Sequence, residues 1–446
     1  MVEATDATMA SPSQLPSAQP RSILRGHQAQ VHAAAFVRGN QRLASGDAEG
    51  YVVLWDLTIM RPRAVWRAHT NAILGIASWG MDKIITHGRD NQLIVWKVSA
   101  DDEAALSTTL PLDPSLLPRP QPWILHILEV NTMNFCSFSI CPVGSNESNE
   151  ELLVAVPNTL VSEAVDVYQL PSQNRLHTIH PTDKAEENGM VMSLALFHLD
   201  ASLALVTAYE NGITTVLQLD GNGEWVVLYR AQSHSQPVLS LSISPSCEYF
   251  ITSGADALVV KHPIPRQSLE QSASEQPLQQ RFGDSQQARP VNGKSLLSAA
   301  LSVEPNPAQP SLKKAIQVRT KPLKVLNSKH SGQQSLRIRS DGKIFATAGW
   351  DSKVRVYSAQ TMRELAVLKW HQAGCYAVAF TTLNCSTPEA PVHEESTEST
   401  ANAEAVATTS KMVNLNVKDR RIKQARQAHW LAAGSKDGKI SLWDIY

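Results

Sequence analysis

The sequence predicts an all-β fold, a single seven-bladed β-propeller closed by an N-terminal strand, and three observations support that reading. One short template recurs seven times along the 446-residue chain. Each copy alternates apolar and polar residues with a period of two, the mark of strands whose faces pack against neighbouring sheets. The last copy ends after its third strand, while an unassigned apolar stretch stands ahead of the first copy. A lone four-stranded sheet cannot bury both faces; a ring of stacked sheets can, and it leaves only short edges.

The template is an X-His pair, an alternating apolar strand, a strand ending in a hydroxyl residue, a turn with an acid, and a strand ending in an aromatic residue. Copy one runs through RGHQAQVHAAAF and RLASGDAEGYVVLWD, copy two through RAHTNAILGIASW and KIITHGRDNQLIVWK. Their closing residues, Trp55 and Trp96, are separated by a span inside the roughly 40–45-residue period of a propeller blade. An acid-x5-aromatic ruler then finds the others. Copy three holds PWILHILEVNTMNFCSFSI and ELLVAVPNTLVSEAVDVYQL, with Tyr168 as aromatic; copy four has Asn211 for the acid and Leu217 for the aromatic. Copy five keeps Asp256 and places His262 where Trp would stand. Copy six has Asp351 and Tyr357, and copy seven, split by a long insert, ends on Asp437 and Trp443. The missing outer strand of copy seven is expected from RSILRG, with Ile23 and Leu24 pairing beside it.

The domain reading follows: residues 1–20 form a polar disordered tail, and residues 21–446 form the ring. Loop inserts at about residues 99–121, 267–313 and 383–428 are rich in Pro, Gln, Ser or charge and are expected to be solvated. Lys and Arg total 40 against 41 Asp and Glu, so no global field draws the chain to nucleic acid or an anionic membrane. The start lacks the basic and apolar segments of a secretory signal, and no window approaches the ~18 apolar residues of a membrane span. Five scattered cysteines fit a reducing compartment, and Cys136 and Cys141 read as small core residues rather than half of a zinc site. In the last insert, VKDRRIKQARQ reads as solvated charge, with nuclear import the alternative; without interleaved aromatics it does not suit single-stranded nucleic acid.

These copies resemble WD repeats. That resemblance implies a buried chain in which Asp orients His, His meets the hydroxyl, and the hydroxyl meets the indole N–H. The full set is His69, Thr86, Asp90 and Trp96, and one partial set is His330, Thr347, Asp351 and Tyr357. Further partial sets are His27, Ser45, Glu49 and Trp55; His234, Thr252 and Asp256; and His371, Asp437 and Trp443, with Ala433 at the hydroxyl position. A His/Asp/Thr cluster could serve catalysis, but a catalytic set occurs once in a cleft, and a set repeated around the chain is architecture. The sequence also lacks a phosphate-binding Gly loop, a G-x-S-x-G elbow and an H-E-x-x-H motif. No enzyme activity, cofactor or metal is therefore expected. The residue ahead of each acid falls at a turn on one propeller face; Trp350, Tyr209 and Arg89 are the candidate partner contacts there, since interface hot spots favour Trp, Tyr and Arg.

The ordered strings THGRDNQLIVWK, NTMNFCSF, HSQPVLSL, KHPIP, GKIFATAGWDSKVRVYS and HWLAAGSKDGKISLWDIY closely resemble the fungal ASTRA-associated protein 1 family, from Arg21 to Tyr446 apart from the inserts. The resemblance implies a scaffold in the nuclear ASTRA complex, linked to chromatin remodelling and to maturation of phosphatidylinositol-3-kinase-like kinases. It implies as partners a Tel-type co-chaperone module, RuvB-like ATPases and a transcription-associated pseudokinase, and it supplies no catalytic residues. The alternative is a ubiquitin-ligase substrate receptor or a Gβ-like signalling adaptor, although the Pro-containing N-terminal tail offers no heptads for a γ partner.

Overall fold

In the computed structural model the described residues are 18–113, 118–131, 135–144, 151–181, 188–266, 318–383 and 417–445. The expectations for the first 17 residues, for the whole 267–313 insert and for the middle of the last insert lie outside them. The described residues hold 28 strands in seven antiparallel four-stranded sheets, all within one compact unit of the chain.

Blade one comprises Val31–Val37, Arg42–Asp47, Tyr51–Asp56 and Arg61–Arg67. Blade two comprises Ile73–Trp79, Lys83–Gly88, Gln92–Lys97 and Trp123–Glu129. Blade three comprises Ser139–Pro142, Leu152–Pro157, Val165–Leu170 and Asn174–Ile179. Blade four comprises Val191–Leu199, Ser202–Tyr209, Ile213–Leu219 and Trp225–Gln232. Blade five comprises Val238–Ile243, Tyr249–Gly254, Leu258–Pro263 and Lys324–Asn327. Blade six comprises Gln333–Ile338, Ile344–Gly349, Val354–Ser358 and Glu364–Leu368. Blade seven takes Cys375–Phe380, Trp430–Ser435 and Lys439–Asp444 from the C-terminal part and Ser22–Arg25 from the N-terminal part. Ile23 faces Ser441 and Leu24 faces Ile440 across that closing pair. Arg21 continues the clasp: its amide donates to the Leu442 carbonyl at 2.8 Å and its guanidinium meets Asp444 at 2.6 Å.

The first strand of each blade lines the ring axis, and the strand alternation sends its other residues into the seams between blades. Hydrophobic clusters fill these seams rather than single sheets. Ala44, Leu54 and Trp66 of blade one pack with Ile84, Ile94 and Trp96 of blade two. At the closing seam, Leu24, Trp430 and Ile440 of blade seven meet Val31, Val53 and Trp55 of blade one. Burying a Leu- or Val-sized side chain contributes about 1.5–3 kcal/mol, so the closing strand stabilises both the blade it completes and the seam beside it. Cys136 and Cys141 lie in the seam of blades three and four, where burial pushes both thiols up.

Two inserts depart from the expected solvated loops. Residues 99–121 interrupt blade two ahead of its outer strand, instead of joining blades two and three, and their described part docks on blade one. A short 3₁₀ turn, Asp102–Ala105, buries Glu103. Arg38 contacts that carboxylate, as do Arg42 at 3.1 Å and Arg63 at 3.2 Å. The Val65 amide donates to the Ser107 carbonyl at 2.7 Å, and Leu110 packs on Gly26, where a Cβ would come within 2.5 Å of it. Three guanidiniums converging on one carboxylate offset its burial, and a Pro-rich composition gives no sign of that pairing. The 267–313 insert likewise falls within blade five, between its third and outer strands. In the last insert the basic run forms the helix α1, Val417–Gln427. Ala425 packs into the closing seam while Arg420, Arg421 and Lys423 stay exposed. Among the described residues, no helix is long and apolar enough to cross a membrane.

Candidate interaction face and the inter-blade polar network

In blades one, two, five and seven the connection leaving the preceding outer strand delivers a histidine to the blade's hydroxyl. In blade two, His69 Nδ1 lies 2.8 Å from Asp90 and its Nε2 lies 2.8 Å from Thr86 Oγ1, while the Trp96 indole donates to that same hydroxyl at 2.8 Å. Thr70 adds its amide to Asp90 at 2.8 Å. Burial pushes the Asp90 carboxyl up, but the bonds from His69 and the Thr70 amide outweigh it and hold the group below its ordinary range. Blade five repeats the arrangement with His234, Asp256 and Thr252 at 2.8–2.9 Å, and His262 takes the indole's place, 2.9 Å from Thr252. Tyr229 of blade four closes the chain on His262 Nδ1 at 2.8 Å.

Blade one corrects the choice of acid. His27 meets Asp47, not Glu49, at 2.7 Å, with Ser45 at 2.7 Å and Trp55 donating to Ser45 at 2.8 Å. Asp47 is fully buried and fixed by amides of Glu49 and Tyr51 at 3.0 and 2.9 Å. In blade seven the empty hydroxyl position, Ala433, is answered by its cross-strand partner Ser441. His371 and the Trp443 indole both bond Ser441 Oγ at 2.8 Å. His371 Nδ1 stands 3.8 Å from Asp437, outside hydrogen-bond range.

Blade six corrects another of the partial sets. His330, Thr347, Asp351 and Tyr357 do not form the chain. Thr347 donates to Gln333 at 2.7 Å, Asp351 is held by Arg355 at 2.6 and 3.1 Å, and Tyr357 stacks on Phe345. The His330 side chain is 43% exposed and 3.7 Å from Asp351. The reason is local register. His27, His69, His234 and His371 stand four places ahead of Val31, Ile73, Val238 and Cys375, the first residues of their inner strands, whereas His330 stands three ahead of Gln333. The ring therefore misses the slot, and a bidentate Arg–carboxylate pair, stronger than a neutral bond, takes the acid.

The turns between second and third strands form one face of the ring. Arg89 is exposed there, its guanidinium 4.4 Å over the ring of Phe135, itself 56% exposed. Trp350 is 46% exposed; its indole donates to Gln334 at 2.9 Å and its ring lies over Gly332, where a Cβ would fall 2.0 Å from it. Tyr209 is a correction. It is 1% exposed, accepts a bond from Thr207 at 3.0 Å, and burial pushes its phenol up to about 12, so it belongs to the core of blade four. Sequence reasoning missed Leu160, which is 91% exposed at the equivalent turn of blade three. Asn158 Oδ1 accepts the Leu160 and Val161 amides at 2.8 Å and presents the leucine outward. Its signal was an apolar residue inside a Pro-Asn-Thr turn. Among the described residues, no group of three or more His, Cys, Asp or Glu could hold a metal ion.

With the ring and its polar seams established, comparison with known proteins places the chain. The sequence model of the family described as ASTRA-associated protein 1 matches residues 20–443. The chain belongs to the ASTRA-associated protein 1 family. Its relatives of that name include one from Pyricularia oryzae, 50% identical over 99% of this chain and 100% of the relative. One from Verticillium alfalfae is 52% identical over 96% of this chain and 93% of the relative. The similarity extends to Schizosaccharomyces pombe, at 33% identity over 81% of this chain and 93% of the relative. In this member of the ASTRA-associated protein 1 family the His/hydroxyl/acid sets of blades one, two and five fasten each incoming connection to its blade and do not form a single reactive centre.

Proposed function

We propose that this chain is a non-enzymatic scaffold subunit of the ASTRA complex, acting in the nucleus in chromatin remodelling and in maturation of kinase-like proteins. The observation behind the assignment is the full-length likeness to proteins named for their association with ASTRA. Its partners are a Tel-type co-chaperone module, RuvB-like ATPases and a transcription-associated pseudokinase. They dock on the turn face, where the half-exposed Trp350 and Arg89–Phe135 pair and the fully exposed Leu160 offer aromatic, cationic and apolar anchors.

Affinity purification with mass spectrometry tests the reading. The wild-type chain should recover the co-chaperones and ATPases, and Trp350→Ala or Arg89→Ala should reduce that recovery at an unchanged melting temperature. Recovery of cullins in their place would replace the scaffold by the ubiquitin-ligase receptor. Cytoplasmic retention of a tagged chain would remove the nuclear setting.

A further inference from the structure

The ring axis holds a polar cavity that the scaffold reading does not use. It measures about 260 Å³ and is lined, among apolar residues, by His32, Ser137, Ser139, Ser335 and Arg337. No Asp or Glu lines it or the adjoining cavity that Arg337 also borders. The inward arginines elsewhere are matched: Arg38 and Arg42 with Glu103, Arg339 with Asp341, Arg355 with Asp351. Arg337 makes only one hydrogen bond to a described residue, from Nη1 to the Leu336 carbonyl at 2.9 Å, and its side chain stays accessible from the channel. The guanidinium thus faces the channel with no counter-charge in the lining, and desolvation by the surrounding protein lowers its pKa.

The serines around it are arranged as donors. Ser139 Oγ accepts the Leu196 amide at 3.0 Å and Ser335 Oγ accepts the Val378 amide at 3.3 Å, fastening neighbouring inner strands. Each hydroxyl proton is thereby left to point elsewhere. Ser137 Oγ has no hydrogen-bond partner among the described residues, and it sits over Gly75, where a Cβ would lie 1.8 Å away. Burial lowers the pKa of His32, opposed by the charge of Asp47 and aided by that of Arg89, so this imidazole lines the cavity as a neutral ring at neutral pH.

We propose that this stretch of the channel is an oxyanion site in which a phosphate group lies against Arg337 and takes hydrogen bonds from Ser137, Ser139 and Ser335. Three hydroxyl donors and the remaining N–H groups of a guanidinium suit the several oxygens of a tetrahedral anion better than the two of a carboxylate. The phosphate is either free or attached to a partner's side chain, and the two sources share this recognition.

Calorimetric titration of the purified full chain separates the outcomes, using inorganic phosphate and a phosphoserine peptide with its unphosphorylated twin, in chloride at matched ionic strength. Phosphate binding that weakens at least about tenfold in Arg337→Gln and severalfold in Ser137→Ala supports a free ligand. Tighter binding of the phosphopeptide alone, with the same losses, supports the carried one. Ser137 fastens no backbone group, so its variant tests the site even if Arg337→Gln folds poorly. No binding by either probe, or binding undiminished in both variants, overturns the proposal.

Discussion

Blades two and six carry the same four kinds of residue at the same acid-to-aromatic spacing, yet only one of them builds the polar chain. In blade two, His69, Asp90, Thr86 and Trp96 are bonded end to end at 2.8 Å. In blade six, Arg355 takes the acid, Gln333 takes the hydroxyl, and the phenol of Tyr357 has no partner among the described residues. The residues that decide lie outside the motif. Besides the register of His330, one position separates the blades, the third-strand residue directly across from the hydroxyl: Ile94 opposite Thr86, Arg355 opposite Thr347, Ser441 opposite Ala433. An apolar residue there leaves the hydroxyl to His and Trp. An arginine captures the acid, and a serine supplies the missing hydroxyl.

The largest expected effect separates the two blades by the same substitution. His69→Ala should cost about 3 kcal/mol, because it leaves a buried hydroxyl and a partly buried carboxylate short of partners. His330→Ala should stay within about 0.5 kcal/mol, as for an exposed surface change. Guanidinium unfolding midpoints at neutral pH measure both, and equal losses would remove the distinction. Next, Arg355→Met should cost about 2–3 kcal/mol by stranding Asp351 beside a buried methionine. If blade six instead relied on His330, Arg355→Met would be mild.

The sequence made the ring legible and the seams only in part. Period-two alternation and the template spacing locate strands because they reflect backbone geometry and burial, which repeat. The closing pair of Ile23 with Ser441 followed from the same logic, since an outer strand was owed to the last blade. Hydrogen-bond partners do not repeat in that way. Asp47 and Glu49 share one turn, and the ruler measured from Trp55 selects the second although the buried first one has the geometry. Glu103 meets arginines far away in sequence, and nothing local announces it. Two signals were available: the shortened interval from His330 to Gln333, and the polar residues Arg355 and Ser441 at inward positions of otherwise apolar strands.

A third difference sets the acid response. Blade two carries His87 beside Thr86, where blade six carries Ala348. Neither nitrogen of His87 has a partner among the described residues, the ring packs edge-on against Phe138, and burial lowers its pKa to about 3. The unfolded chain protonates this imidazole near ~6.5 while the folded state keeps it neutral, so between those values the unfolded state binds more protons. Stability is therefore lost as pH falls from about 6.5, by up to about 1.4 kcal/mol per pH unit from this one group. His87→Leu should remove that share of the slope in urea melts at pH 7, 6 and 5. An unchanged slope would show that His87 does not set it.

The smallest effect tests the cross-strand rule itself. Ser441→Ala should cost about 1 kcal/mol, since His371 Nε2 and the Trp443 indole lose the hydroxyl they share. Ala433→Ser adds a hydroxyl at the position that Ser45, Thr86 and Thr252 occupy in blades one, two and five. In the double variant that hydroxyl should reach the same His and Trp and restore most of the loss. In the wild-type background it should gain nothing, because Ser441 already satisfies both groups. A double variant no more stable than Ser441→Ala would mean that the two strand positions are not interchangeable, and that blade seven is built around Ser441 specifically.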